Sequence, residues 1–214
     1  MFIADGPLGI RLDVFEIWLY RLGGAAALFA LLMAVLGFRR AARRPAGYQS
    51  GPTARWLRFP VFLFSTLLFI YIGYLLWKPL PLNLSSQVRL VFDLAAALIY
   101  FPALALYLWG LASLGEMFTA SSGFGVRLPE GQRLVTGGPY RYVRHPMYLG
   151  VILAGIGGLL LYRTWSMLIF ALLMFGLVLR ARREEQALRD LLGDEWCAYT
   201  RRVPAWLPRF ARKD

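Results

Sequence analysis

The apolar positions of this chain do not alternate; they run in blocks. "FEIWLYRLGGAAALFALLMAVLGF", residues 15–38, holds only Glu16 and Arg21 as charges, and a second block runs from Phe59 to Trp77. A third covers about Leu90 to Leu114 and carries Asp93 and Pro102. Two shorter blocks, about Tyr148 to Tyr162 and Trp165 to Leu179, are separated only by Arg163 and Thr164. A hydrocarbon layer roughly 30 Å thick is crossed by about 20 residues of helix, and lipid offers the backbone no hydrogen bonds, so spans must be helices or closed barrels. The pattern predicts an all-α integral membrane protein with about five transmembrane helices, the last two forming a tight hairpin extended at the headgroups.

Composition agrees. Of 214 residues, 58% are hydrophobic and 17% charged, against about a quarter charged in ordinary soluble domains. The net charge of +12 raises nucleic acid as a partner, but no nucleic-acid-binding motif accompanies it, and the basic residues sit where membrane topology wants them. Six arginines fall between Arg39 and Arg58, four between Arg127 and Arg144, and nine Lys or Arg from Arg180 onward; only five lie on the other side. Five alternating spans put all three basic segments on one face, which the positive-inside tendency makes cytoplasmic, with the N-terminus outside. The same residues would meet anionic membrane lipids. "MFIADGPLGIRLD" lacks the basic start and cleavage site of a signal peptide, so the first helix is expected to be retained. One cysteine, Cys197, and one histidine, His145, allow neither an intramolecular disulfide nor a zinc site, and Cys197 reads as a bystander on a polar tail helix.

Two features inside the spans have structural readings. Asp93 is a functional candidate by position, yet it lies about one turn from the outer interface, where pairing with Arg89 at i−4 is the favoured role. Gly155, Gly157 and Gly158 would let helices pack closely.

Candidate chemistry is confined to residues 115–214, after three N-terminal spans in residues 1–114. A loop of about thirty residues, Gly115 to His145, is long enough to be functional, and its "GFG", "LPEG" and "GGPY" turns argue for order. The tail "RARREEQALRDLLGDEWCAYTRRVPAWLPRF" continues the fifth helix. Arg180 and Glu184 are four apart and share a face, whereas Glu185 lies about 100° round. That pair is either an exposed ion pair of little worth or, at the mouth of a bundle, a fork for an anion beside a carboxylate for a cation or hydroxyls. The residues alone leave these readings even. His145 precedes a proline and so marks the start of the fourth helix; it can face a ligand there or serve as a structural hydrogen-bonder.

The two polar segments together, "RLVTGGPYRYVRHPMYLG" and, after one hairpin, "REEQALRDLLGDEWCAYTRRVPAWLP", closely resemble the isoprenylcysteine carboxyl methyltransferase family, whose wider relatives include phospholipid N-methyltransferases. The resemblance spans roughly Gly123 to Pro208. It implies an all-helical membrane enzyme with S-adenosylmethionine as cofactor, held in a cytoplasmic pocket closed by the loop and the tail. Carried over by motif, the cofactor contacts would be Gln132, Arg133, Leu134, Val135, Tyr140, His145, Pro146, Met147, Tyr148 and Glu184. Arg180 would be the substrate-side arginine, so Arg180 and Glu184 are the expected catalytic pair. A further contact would fall near Gly125, which could offer only its backbone.

The implied chemistry is direct methyl transfer to a lipophilic acceptor entering from the bilayer, most simply a carboxylate such as a prenylcysteine-type C-terminus. A carboxylate needs no general base; an amine would, and only His145 or Glu185 could serve. Membrane sterol reductases that use NADPH share an R-H-P-x-Y-x-G motif, but typically with asparagine where Met147 stands and without the paired glutamates. A non-enzymatic membrane scaffold of the same fold is the other alternative. No G-x-G-x-x-G lies between a strand and a helix, so a soluble Rossmann-type methyltransferase is not supported.

Overall fold

The computed structural model describes residues 12–51, 59–118, 120–122 and 125–208; the start of the chain, on which the reading about a signal peptide rests, lies outside them. Six helices follow in order: α1 (Leu12–Ala42), α2 (Phe59–Leu75), α3 (Ser86–Leu114), α4 (Pro146–Tyr162), α5 (Trp165–Met174) and α6 (Leu177–Arg202). Three stretches are long and apolar enough to cross a membrane, Val14–Ala42, Ser86–Met117 and Trp165–Arg202. Within the last, the apolar run ends at Leu179 and the helix continues as a polar extension. At 17 residues each, α2 and α4 reach about 25 Å. The protein is a multi-pass membrane protein with large apolar side chains on its outer faces, such as Phe64, Leu98 and Leu172.

Helices α1 to α5 run in alternate directions, and α6 continues α5. The start of α1, the end of α2, the start of α3 and the α4–α5 turn meet at one end, where Tyr162 donates to the Tyr20 carbonyl and the Ser166 amide to that of Leu76. Ser85 caps α3 and Thr164 caps α5 by accepting from the Val88 and Met167 amides, an arrangement short polar side chains favour. Asp93 is fully buried at this end, and its partner is Arg163, 2.8 Å away, rather than Arg89. Arg163 is the residue that turns α4 into α5 with a left-handed backbone (φ 48°), and it also donates to the Tyr20 hydroxyl and the Leu160 carbonyl. Arg89 faces Glu16 instead, at 4.0 Å. The i−4 expectation fails because folding brings a guanidinium from 70 residues away into better hydrogen-bonding geometry.

The expected helical architecture holds for the membrane body, but the opposite end adds a small antiparallel sheet that the apolar pattern did not predict. Its order is β1 (Ala46–Ser50), β3 (Gly125–Pro129), β2 (Ala120–Ser122), and Gly125 pairs with Ser122 at the hairpin. Val126 and Leu128, each 1% exposed, press the sheet onto Ala187 and Leu188 of α6. Beyond it α6 breaks at Gly193, whose φ of 53° belongs to the left-handed region, and such a turn is far cheaper for glycine than for a residue with a Cβ. The break sends Trp196 and Tyr199, both buried, back over the site.

Candidate active site

The polar elements of this end converge on one cavity of about 690 Å³. Gln132, Arg133, Leu134, Val135, Tyr140, His145, Met147, Tyr148, Arg180 and Glu184 all line it. Pro146 is buried as the first residue of α4 and packs near Gly110 of α3, so its place is in setting the helix start. The loop, α4 and α6 therefore bring the expected residues together, although they stand up to 52 positions apart.

Each side chain has a reason for its position. His145 is the cap residue ahead of α4, with non-helical backbone (φ −121°, ψ 54°), because Pro146 disfavours helical backbone ahead of itself. Its ring is stacked against Tyr148 at 5.7 Å and lies 5.3 Å from Trp206 of the tail. Its Nε2 stands 2.8 Å from the Glu185 carboxylate, which also accepts from Arg144 Nε at 3.0 Å. Arg144 further donates to the Thr200 and Val203 carbonyls, and the Arg144 and His145 amides donate to the Pro204 and Ala205 carbonyls. The tail is thus stitched to the loop. Burial alone would raise the Glu185 carboxyl, but the His145 and Arg144 hydrogen bonds and charges outweigh it and hold the group below its usual range.

On the cavity side, the Tyr148 hydroxyl donates to Glu184. Arg180 approaches Glu184 at 3.7 Å and lies over the Tyr148 ring at 5.1 Å, a cation–π distance. The i,i+4 spacing that made an exposed ion pair conceivable instead delivers a partly buried pair facing the cavity. Tyr140 is held by its place in the short helix Gly138–Arg141, and its carbonyl accepts from Tyr199 at 2.7 Å. Burial, then the nearby Tyr148 phenol and Glu184 carboxylate, push the Tyr140 phenol well above the usual tyrosine range, so it remains neutral. Gln132 donates to the Met117 carbonyl at 3.2 Å, while its Oε1 is buried without a partner.

The rest of the wall comes from residues that were not among the expected contacts. Tyr107 of α3, Trp196 and Tyr199 of the tail, and a largely apolar face from Leu31, Phe38, Phe62, Phe69 and Phe170 complete the cavity. Phe38 and Phe62 stack at 4.0 Å. The only sequence signal for Trp196 and Tyr199 is their place in the second motif; the apolar residues of α1 and α2 carry none. Among the described residues no cluster of His, Cys, Asp and Glu could hold a metal.

A family model described as the isoprenylcysteine carboxyl methyltransferase family matches residues 94–190, from the first third of α3 through the Arg180–Glu184 pair. Protein-S-isoprenylcysteine O-methyltransferase B of Arabidopsis thaliana is 30% identical over 136 residues, which cover 55% of this chain and 69% of that protein. Protein-S-isoprenylcysteine O-methyltransferase of Schizosaccharomyces pombe is 36% identical over 77 residues, 35% of this chain and about a third (33%) of that protein's length. With the membrane body, these matches define a membrane methyltransferase. The chain belongs to the isoprenylcysteine carboxyl methyltransferase family.

Proposed function

We propose that the protein transfers a methyl group from S-adenosylmethionine to a carboxylate on a lipophilic acceptor of the prenylcysteine type, at the cytoplasmic face of its membrane. The observation that carries this is the meeting, in one cavity, of a carboxylate–guanidinium pair with an apolar wall drawn from α1, α2 and α5.

The polar end suits the donor. A volume of about 690 Å³ lies within the roughly 300–1,000 Å³ usual for small-molecule sites. Glu184, ringed by Tyr148 and Tyr140, suits a sulfonium cation, which carboxylates and aromatic faces both attract. The unpartnered Gln132 Oε1 suits a hydrogen-bond donor such as an adenine amine or ribose hydroxyl. When bound, the sulfonium supplies an already activated methyl group, so the protein's task is position and electrostatics. Glu184 holds positive charge near the reacting centre, and Tyr148 fixes the carboxylate. Arg180 orients the acceptor's carboxylate, and the apolar wall keeps water away from both. A carboxylate acceptor loses no proton, which leaves His145 and Glu185 to their structural bonds.

The apolar end suits the acceptor's chain. No described residue of α2 is buried, so this helix is the natural side for a lipid-borne group to enter from the bilayer. Residues 115–214 would then be the methyltransferase core, and residues 1–114 would supply most of the acceptor's surroundings. The basic segments support a site and a C-terminus on the cytoplasmic side.

The test is calorimetric binding of S-adenosylhomocysteine to the detergent-purified protein, beside a Glu184→Ala variant. Binding in the micromolar range, weakened at least about tenfold by the substitution, is the expected result. Absence of binding by the intact protein would overturn the reading.

A further inference from the structure

We infer that Tyr107 of α3 is a second acceptor-positioning residue: its hydroxyl and the Arg180 guanidinium hold the acceptor's carboxylate between them. This rests on the reading above and adds a group that lies outside both motifs.

Tyr107 lines the same cavity as Arg180, Tyr148 and Glu184. Its phenol lies within electrostatic reach of Arg180, and Arg180 in turn of Tyr107, Tyr148 and Glu184. Tyr148 is committed to Glu184 by its hydroxyl. Tyr107 stands on α3 and Tyr148 on α4, so phenols from two different elements share the cavity with the guanidinium. The stem of Tyr107 is fixed by an unusually close approach of α4. A Cβ on Gly150 would stand 2.9 Å from the Tyr107 nitrogen and 3.1 Å from its Cβ. Gly150, two residues beyond Tyr148, thus registers Tyr107 against the first turn of α4.

The chemistry of a carboxylate nucleophile asks for such a group. One oxygen uses its electron pair to form the new C–O bond as the donor's C–S bond breaks, and no proton moves. The other oxygen keeps its place only if something holds it. A phenol is neutral at physiological pH and donates one hydrogen bond, so it can hold that oxygen beside the guanidinium. Because the carboxylate loses its negative charge on becoming an ester, this bond is stronger before transfer than during it. Tyr107 therefore acts on acceptor binding more than on the rate of transfer.

The experiment uses the full chain in detergent with a prenylated cysteine derivative bearing a free carboxylate, comparing the wild type with Tyr107→Phe. A hydrogen bond to a charged group is worth roughly ten- to a hundredfold. The KM for the acceptor is expected to rise about tenfold or more, with kcat held or slightly raised and S-adenosylhomocysteine affinity unchanged. Tyr107→Leu, lacking ring and hydroxyl, is expected to lose at least the same factor in KM. An acceptor KM within about twofold of wild type in Tyr107→Phe overturns the inference. So does a parallel fall in S-adenosylhomocysteine affinity, which would put Tyr107 on the cofactor side. If the wild type neither binds S-adenosylhomocysteine nor methylates the acceptor, the function itself has failed, a separate result.

Discussion

Gly157→Ala is the sharpest test of how the bundle holds its shape. A Cβ at this position would stand 2.8 Å from the Tyr100 nitrogen and 2.9 Å from both its Cα and Cβ. These atoms belong to, or hang directly from, the backbone of α3, so no rotamer change can clear them. Ordinary contact begins at 3.4 Å, so the two helices must part by about 0.6 Å. Overpacking of this kind costs about 1–3 kcal/mol, and rigid partners on a 29-residue helix place it at the upper end. Alanine recovers about 1 kcal/mol of helix propensity over glycine, leaving a net loss near 2 kcal/mol. For a chain of this size that lowers the melting temperature by about 4–8 °C. The assay is apparent melting in detergent at one heating rate, since irreversible unfolding makes the value rate-dependent.

Two other glycines supply the comparison. Gly158→Ala meets the Met167 sulfur at 3.2 Å and a Tyr100 ring carbon at 3.4 Å; a thioether side chain can swing aside, so its loss should stay below about 1 kcal/mol. At Gly73 a Cβ would meet nothing within 4 Å, and alanine there should melt at or slightly above the wild-type temperature. If Gly157→Ala melts within about 1 °C of wild type, or Gly73→Ala falls as far as Gly157→Ala, close backbone packing is not what joins α3 to α4.

The buried pair at the α4–α5 turn predicts a larger loss. Asp93→Asn leaves Arg163, 13% exposed, without its counter-ion, and breaking a buried pair from one side costs about 3–5 kcal/mol. Melting should fall further than for Gly157→Ala, while the protein that remains folded binds S-adenosylhomocysteine with unchanged affinity. Glu185 predicts an acid limb. Its folded-state carboxyl lies below the usual value near 4.5, so its contribution is complete above that value and is lost as pH falls through the lowered one. Protection of the Arg144 and His145 amides, bonded to the tail at 2.9 and 3.1 Å, should fall below about pH 4.5 when exchange is measured against each amide's intrinsic rate at that pH. Glu185→Gln should exchange faster at neutral pH and lose that acid dependence.

Different parts of the fold leave different marks in a sequence. The helices were legible because an apolar layer demands long apolar helices, and Phe59, Leu114, Tyr162 and Trp165 bound the same segments by pattern and by structure. The sheet was not: "AGYQS" and "ASS" are short, small and polar, and β1 finds its partner more than 70 positions away. Asp93 was misassigned for a related reason, because a neighbour at i−4 is visible in sequence and Arg163 is not. The polar half of the site was legible because Tyr140, His145, Tyr148, Arg180 and Glu184 are rare residue types beside a membrane span and stand in motif spacing. The apolar half was not, because Phe62 facing a cavity and Phe64 facing lipid obey the same preference for hydrocarbon. Tyr107, one of several tyrosines in apolar blocks, becomes distinctive only once the fold places it in the same cavity as Arg180.

The paired glutamates explain why the two motifs work only together. Adjacent residues on a helix point about 100° apart, and here that angle divides the work. Glu184 lines the cavity and takes the Tyr148 hydroxyl. Glu185 takes Arg144 and His145. Arg144 spends its other donors on the Thr200 and Val203 carbonyls, so the arginine of the first motif anchors the tail that carries the second. That tail can return only because Gly193 adopts a positive φ, and its return brings Tyr199 under Tyr140 and Trp206 beside His145. The arginine–histidine pair is thereby bound into structure. Tyr148, Arg180 and Glu184 are left facing the cavity, where the proposed methyl transfer would take place, and their positions depend on that structure staying closed.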